Sequence, residues 1–230
     1  IADGTWQTDA SYSGSGGDWQ DVVYANGMFV AVGTCGSDCV ATSTDGVSWS
    51  GASVAGGGDN WQGITYGNGI FVAVGDVGDR VMTSLDGVTW TARTAAGDDD
   101  NWEDVTYGNG IFVAVGENSG DDRIMTSPDG INWTGRTEAG TNPSLFGVTY
   151  GNGLFAAVGT TVSDDTLMTS PDGITWTLRT GQADWADITY GNGRFVAVGD
   201  ASGSGAAVMY SDDGLTWATS TALGDNDQWL

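Results

Sequence analysis

Apolar and polar positions along this chain fall into short bursts, and one burst is written five times. The decapeptide YGNGIFVAVG stands at 66–75 and again at 107–116, with near-copies at 24–33 (YANGMFVAVG), 150–159 (YGNGLFAAVG) and 190–199 (YGNGRFVAVG). Ahead of each Tyr lies a stretch such as WEDVTY (102–107), whose alternation predicts a half-buried β-strand. The Gly-Asn-Gly that follows suits a tight hairpin, because Asn and Gly tolerate the positive φ such turns demand. IFVAVG (111–116) is then a near-continuous apolar run, the pattern of a strand covered on both faces. RIMTS (123–127) and INWTGR (131–136) complete a unit of four strands, and no segment keeps a helical period over a useful length.

A second block of fixed length follows each decapeptide: STDGVSW (43–49), SLDGVTW (84–90), SPDGINW (127–133), SPDGITW (170–176) and SDDGLTW (211–217). All variation in length falls between the fixed blocks. Aligning Tyr24, Tyr66, Tyr107, Tyr150 and Tyr190 gives a period of about 42 residues, the size of a four-stranded propeller blade. The expected fold is all-β, a single five-bladed β-propeller over residues 1–230 built from four-stranded antiparallel blades. Its blades are expected at about 19–60, 61–101, 102–144, 145–184 and 185–228, after an outer strand and connection at 1–18.

The second block resembles the Asp-box, the repeat of sialidase-type (BNR-like) bacterial and viral propellers. Here it reads S-x-D-G-x-x-W, one residue shorter between Asp and Trp in all five copies. The resemblance implies a propeller and does not by itself imply catalysis, since Asp-boxes also occur in propellers that only bind. Asp45, Asp86, Asp129, Asp172 and Asp213 are read as structural: a short carboxylate accepts backbone N–H groups across a tight turn while the Trp packs between strands. A sialidase would need Arg residues converging on a carboxylate sugar beside a Tyr and an acid. Arg93, Arg136 and Arg179 instead recur at one place in the fourth strand, where they are expected to pair with nearby acids. Arg80 and Arg123 share the start of the third strand, and only Arg194 is singular. The chain is therefore read as non-catalytic.

The ends hold a surplus. GTWQT (4–8) looks like a fourth strand and DQWL (227–230) like the opening of another first strand, so Trp6 joins Trp49, Trp90, Trp133, Trp176 and Trp217 as a sixth copy. Three readings stand open: a copy displaced to the outside, a chain cut from a longer array, or a strand donated to a neighbouring molecule along an exposed edge. A start at Ile1 suggests a processed product or a fragment.

Composition narrows the partners. Thirty acids face six bases, all Arg, with no Lys and no His, for a net charge of −24. Such a chain repels nucleic acid and anionic lipid, has no His for general-base work or zinc, and has no apolar run long enough for membrane insertion. Cys35 and Cys39 enclose only three residues (CGSDC), a spacing read as a local disulfide at a hairpin tip, which favours an extracellular or cell-surface setting.

Nineteen of the thirty acids fall in connections that share one face of a propeller. Hard oxygen ligands in neighbouring loops suit Ca²⁺. The candidates are Asp98, Asp99 and Asp100 in GDDDN, with Asp121, Asp122, Asp164 and Asp165 behind them. Asp21, Asp104 and Asp187, each two residues after a Trp, are read as caps of the first-strand backbone or as water ligands, with a carboxylate ring in the central channel as the alternative. For ligand binding the expected residues are Trp19, Trp61, Trp102 and Trp185, with Asp18, Asp59, Asn60, Asn101 and Asp184 on the same rim. Aromatic faces beside carboxylates and amides suit sugars, and repetition supplies avidity; the opposing reading makes these Trp wedges in the core. The functional expectation is a non-catalytic extracellular binding or adhesion propeller for a glycan or surface protein. The alternative is a structural subunit that self-assembles through its terminal strands into a filament or surface layer, and a glycosidase-like enzyme is a distant third.

Overall fold

The structure, a computed structural model, describes residues 18–34, 39–52, 54, 60–76, 80–97, 101–117, 123–140, 143–160, 166–179, 184–200 and 208–220. All its regular structure is β. Blade 1 consists of β1 (Asp18–Ala25), β2 (Met28–Thr34), β3 (Val40–Ser43) and β4 (Ser50–Gly51). Blade 2 consists of β5 (Trp61–Gly67), β6 (Ile70–Gly75), β7 (Arg80–Ser84) and β8 (Thr91–Thr94). Blade 3 is β9 (Asn101–Gly108), β10 (Ile111–Glu117), β11 (Ile124–Ser127) and β12 (Thr134–Arg136). Blade 4 is β13 (Ser144–Gly151), β14 (Leu154–Thr160), β15 (Thr166–Ser170) and β16 (Thr177–Arg179). Blade 5 is β17 (Asp184–Gly191), β18 (Arg194–Asp200), β19 (Val208–Ser211) and β20 (Ala218–Thr219). Each blade is an antiparallel meander in chain order, giving the five four-stranded blades that the repeat predicts.

The first hairpin of every blade turns on Asn-Gly with both residues at positive φ, for example Asn109 at 48° and Gly110 at 83°, the geometry that matches the twist of the flanking strands. At the other end of that hairpin the ladder slips by one residue. The register jumps between Trp19 and Asp21, between Trp61 and Gly63, and at the matching place in the other three blades. The slip leaves one extra residue per inner strand, which a bulge re-aims out of the ladder.

The fourth strand is shorter than its apolar pattern suggests. In blade 3 the expected INWTGR strand begins only at Thr134, because Asp129 gathers the preceding residues into a turn. Its Oδ1 accepts the N–H groups of Ile131 and Asn132, both at 2.9 Å, and Ser127 Oγ accepts that of Gly130 at 2.8 Å. Trp133 then folds back to donate its indole N–H to Gly130 O at 3.1 Å. The same bonds from Asp to the two following N–H groups recur at Asp45, Asp86, Asp172 and Asp213. Among the described residues, Arg93, Arg136 and Arg179 pair with no acid, whereas Arg123 forms an ion pair with Glu138 at 3.0 Å. Arg93, Arg136 and Arg179 donate Nε to Thr83, Thr126 and Thr169 at 2.8–2.9 Å, tying the fourth strand to the third.

Four apolar layers fill the junctions between consecutive blades. Each combines the second and third strands of one blade with the inner face of the next; Val72, Val74 and Val81, for example, pack against Trp102, Val105, Phe112 and Met125. Strands such as β6 are buried on both sides, which explains their unbroken apolar sequence.

The junction between blades 5 and 1 is different. First strands of consecutive blades pack along their length, whereas β17 and β1 share no packing of that extent. Trp19, Val22 and Tyr24 are 45%, 54% and 60% exposed, although their counterparts Trp61 and Ile64 are 1% and 5% exposed. On the facing side Val196, Val198 and Val208 are half-buried, where Val72, Val74 and Val81 are fully covered. Among the described residues the ring thus has one open seam.

Candidate functional site: the axial cavity

The five bulged residues are Gln20, Gln62, Glu103, Phe146 and Ala186, and all five line one cavity of about 540 Å³. Asp21, Asp104, Asp187, Asp184, Trp185 and Thr160 complete the lining. The bulge is the cause. A strand that stayed in register would alternate its side chains between the two blade faces, whereas the slipped residue leaves the ladder and projects toward the axis.

The lining combines carboxyl and amide groups with the Thr160 hydroxyl and the rings of Phe146 and Trp185, and no Arg belongs to it. Burial dominates its electrostatics. Desolvation holds Asp104 up to about 7, opposed by the N–H of Val148 and reinforced by the like charges of Asp21 and Asp187. Desolvation also raises Glu103 to about 7, with Glu117 and Asp76 adding repulsion. Asp21 and Asp187 lie above the usual carboxylate range for the same first reason. The three Asp serve both roles open to them: they cap backbone N–H groups and they face the channel.

Among the expected ligand residues, the cavity gathers Asp184 and Trp185 only. Trp61, Trp102 and Trp185 are almost wholly buried, so they are wedges between blades and expose no platform for a sugar; Trp19 keeps an exposed face because it borders the seam. Asp18 is exposed at the start of β1, away from the cavity lining. Asn60 bridges to Thr34 and accepts the N–H of Asp76 at 3.1 Å, a structural position between blades 1 and 2. Asn101 opens β9 opposite Glu117. Asp59 lies outside the described residues, as do the cation candidates Asp98, Asp99, Asp100, Asp121, Asp122, Asp164 and Asp165. Among the described residues no group of three or more His, Cys, Asp or Glu is placed to hold a metal ion. Cys39 is buried and disulfide-bonded, while Cys35 lies outside the described residues.

Sequence reasoning passed over Gln20, Gln62, Glu103 and Phe146. Their signal is present in the repeat: one position beside an almost constant Trp reads Gln, Gln, Glu, Phe and Ala, a variable site inside an otherwise repeated strand.

No protein-family model matches the chain, and no curated protein matches it. Solved structures do. A catalytically inactive virginiamycin B lyase from Staphylococcus aureus with quinupristin superimposes with a TM-score of 0.67 at 12% identity, covering 88% of this chain and 80% of that one. YCF48 bound to D1 peptide gives a TM-score of 0.63 at 14% identity over 89% of this chain and 67% of that one. The computationally designed Ika8 protein gives 0.59 at 12% identity over 84% of this chain. The match spans 57% of the designed chain's length. This chain shares the β-propeller fold with the lyase and YCF48, and at these identities the likeness is one of fold alone. No helix is long and apolar enough to cross a membrane among the described residues.

Proposed function

We propose that this chain is a non-catalytic binding propeller whose axial cavity takes a basic segment of a partner protein, with a Lys or Arg side chain entering among Glu103, Asp104, Asp184 and Asp187. The carrying observation is the lining itself: carboxyl and amide groups from four of the five inner strands, and no cation among them. Carboxyls raised by burial gain most from an incoming positive charge, and a net charge of −24 steers such a partner inward. YCF48, a fold neighbour, is described bound to a peptide, which supports a peptide-sized ligand. The disulfide at Cys39 supports an extracellular or cell-surface setting. The likeness of the S-x-D-G turn to the Asp-box supports a place beside sialidase-type repeat propellers, including those that only bind. Ca²⁺ enters this reading through the acidic connections alone.

A second reading, glycan binding, draws on Phe146, whose half-buried ring lies in the cavity among amide and carboxyl acceptors. Calorimetry separates the two with a short oligo-arginine peptide and a panel of neutral oligosaccharides. The peptide is expected to bind more tightly at pH 8 than at pH 5.5. Glu103→Gln with Asp184→Asn is expected to weaken it by about tenfold, or ~1.4 kcal/mol. Asp9→Asn with Asp225→Asn removes the same charge from the terminal segments and is expected to leave affinity unchanged. Equal losses from both pairs would reduce the binding to bulk charge and end the proposal. Sugar binding abolished by Phe146→Ala, with no peptide binding, would replace it with the glycan reading.

A further inference from the structure

Inner-strand carboxylates at the closed junctions follow a rule of two. Two residues after the first aromatic or Leu of each inner strand, blades 1 to 5 carry Asp21, Gly63, Asp104, Gly147 and Asp187. Each Asp accepts with Oδ1 the N–H of the residue that follows it, Val22, Val105 and Ile188, all at 2.7 Å. Asp21 and Asp104 also reach the next blade, where Oδ2 accepts the N–H of Ile64 at 2.8 Å and of Val148 at 2.7 Å. Those recipients sit in the two blades that have glycine and therefore no carboxylate of their own. The glycines answer the blade beyond them. A Cβ on Gly63 would stand 2.9 Å from Asp104 Cα, and one on Gly147 would stand 3.0 Å from Asp187 Oδ1. One carboxylate thus satisfies two blades, and the blades come in Asp–Gly pairs.

Asp187 has no second blade to serve. Among the described residues its carboxylate accepts only the N–H of Ile188. Blade 1 does not fit the vacancy, because Val22 N–H is already held by Asp21 and because blade 1 carries Asp where the pairing calls for Gly. A second copy of this chain docked blade 1 to blade 5 would set the same two carboxylates against each other. The seam faces tell the same story. Gly67, Gly108 and Gly151 are each covered by the Tyr of the next blade, and Gly191 has nothing against it.

We infer that the seam receives one further four-stranded unit of this same repeat, bearing glycine at the position of Gly63 and Gly147, so that the working ring has six blades. The added unit offers its inner N–H to Asp187 Oδ2 and its Tyr to Gly191. Its outgoing valine face covers Trp19, Val22 and Tyr24. The sequence carries the opening of such a unit: Trp229 follows Trp217 by 12 residues, the spacing from Trp49 to Trp61 and from Trp90 to Trp102, although residues 221–230 lie outside those described.

Hydroxyl-radical footprinting of the full chain, with its mass in solution, gives the baseline: a monomer in which Trp19 is modified at least about tenfold faster than Trp61. The chain is then extended after Leu230 with a copy of residues 63–94, which carries blade 2 through its fourth strand, and a twin extension carries Asp in place of its leading Gly. The glycine extension is expected to slow modification of Trp19 and Tyr24 several-fold and to raise Tm, and the aspartate twin to do neither. Asp187→Ala is expected to lower Tm more in the glycine-extended chain than in the original chain. Equal protection by both extensions, protection by neither, or an equal Tm loss from Asp187→Ala in both backgrounds would overturn the inference. So would an unextended chain that already shields Trp19, whether as a monomer or through a second copy.

Discussion

Two sets of aspartates in this protein do the same local job under opposite electrostatics. At the outer turns Asp45, Asp86, Asp129, Asp172 and Asp213 accept backbone N–H groups while facing water, and the bonds hold each carboxyl below its usual range; Asp45 and Asp86 fall to about 2. On the inner strands Asp21, Asp104 and Asp187 accept backbone N–H groups too, yet burial overrides the bonds and raises all three. The contrast separates construction from potential use. Solvated carboxylates closing a turn have settled into their charged form, whereas those crowded around the axis would gain from an added positive charge.

The largest test of this contrast is Asp104→Ala. It strips the partner from two N–H groups, Val105 and Val148, and is expected to cost ~2–5 kcal/mol in urea unfolding. Asp104→Asn keeps the shape but turns an amide NH₂ toward one donor, so it recovers only part of the loss. Next comes Ser127→Ala at an outer turn, where the buried hydroxyl accepts from Gly130 N and donates to Asp129; a cost of ~1–3 kcal/mol is expected. A loss from Ser127→Ala equal to that from Asp104→Ala would erase the distinction between rim and axis.

The pH dependence of Tm sharpens it further. Outer aspartates have folded pKa values below the unfolded 3.8, so their contribution is present above that pH and fades as pH falls toward 2. Inner carboxyls have folded values above their unfolded ones. Their contribution is complete below about 4 and is lost as pH rises to about 7. Thermal stability should therefore peak near pH 4–5 and decline on both sides; a plateau from pH 5 to 8 would contradict the burial of charge at the axis. The smallest effect is that of Glu103→Gln, which should raise Tm slightly at pH 8 and leave it unchanged at pH 4.5, because only at the higher pH does the wild-type side chain hold an uncompensated charge.

Much of the architecture could be read directly. The Asn-Gly turns, the unbroken FVAV runs and the S-x-D-G-x-x-W blocks are local signals, and each forms the element its chemistry implies. The cavity could not be read the same way. A one-residue slip at Trp19, Trp61, Trp102, Leu145 and Trp185 is set by the pairing of two strands, so no single segment shows that Gln20 or Phe146 leaves the ladder. The indoles that looked suited to a sugar surface were placed by the same logic. Whether Trp61 is a platform or a wedge depends on the neighbouring blade, which covers it completely, whereas the unpacked seam leaves Trp19 in view.

The sequence by itself determined the unit: its strands, its turns and its five-fold repetition, since these rest on residues within reach of one another along the chain. Tertiary structure alone decided which carboxyls burial raises, where the axial cavity lies and that, among the described residues, one junction stands open. Burial and the pairing of a carboxylate with a donor some 43 residues away are properties of neighbours the chain meets only after folding.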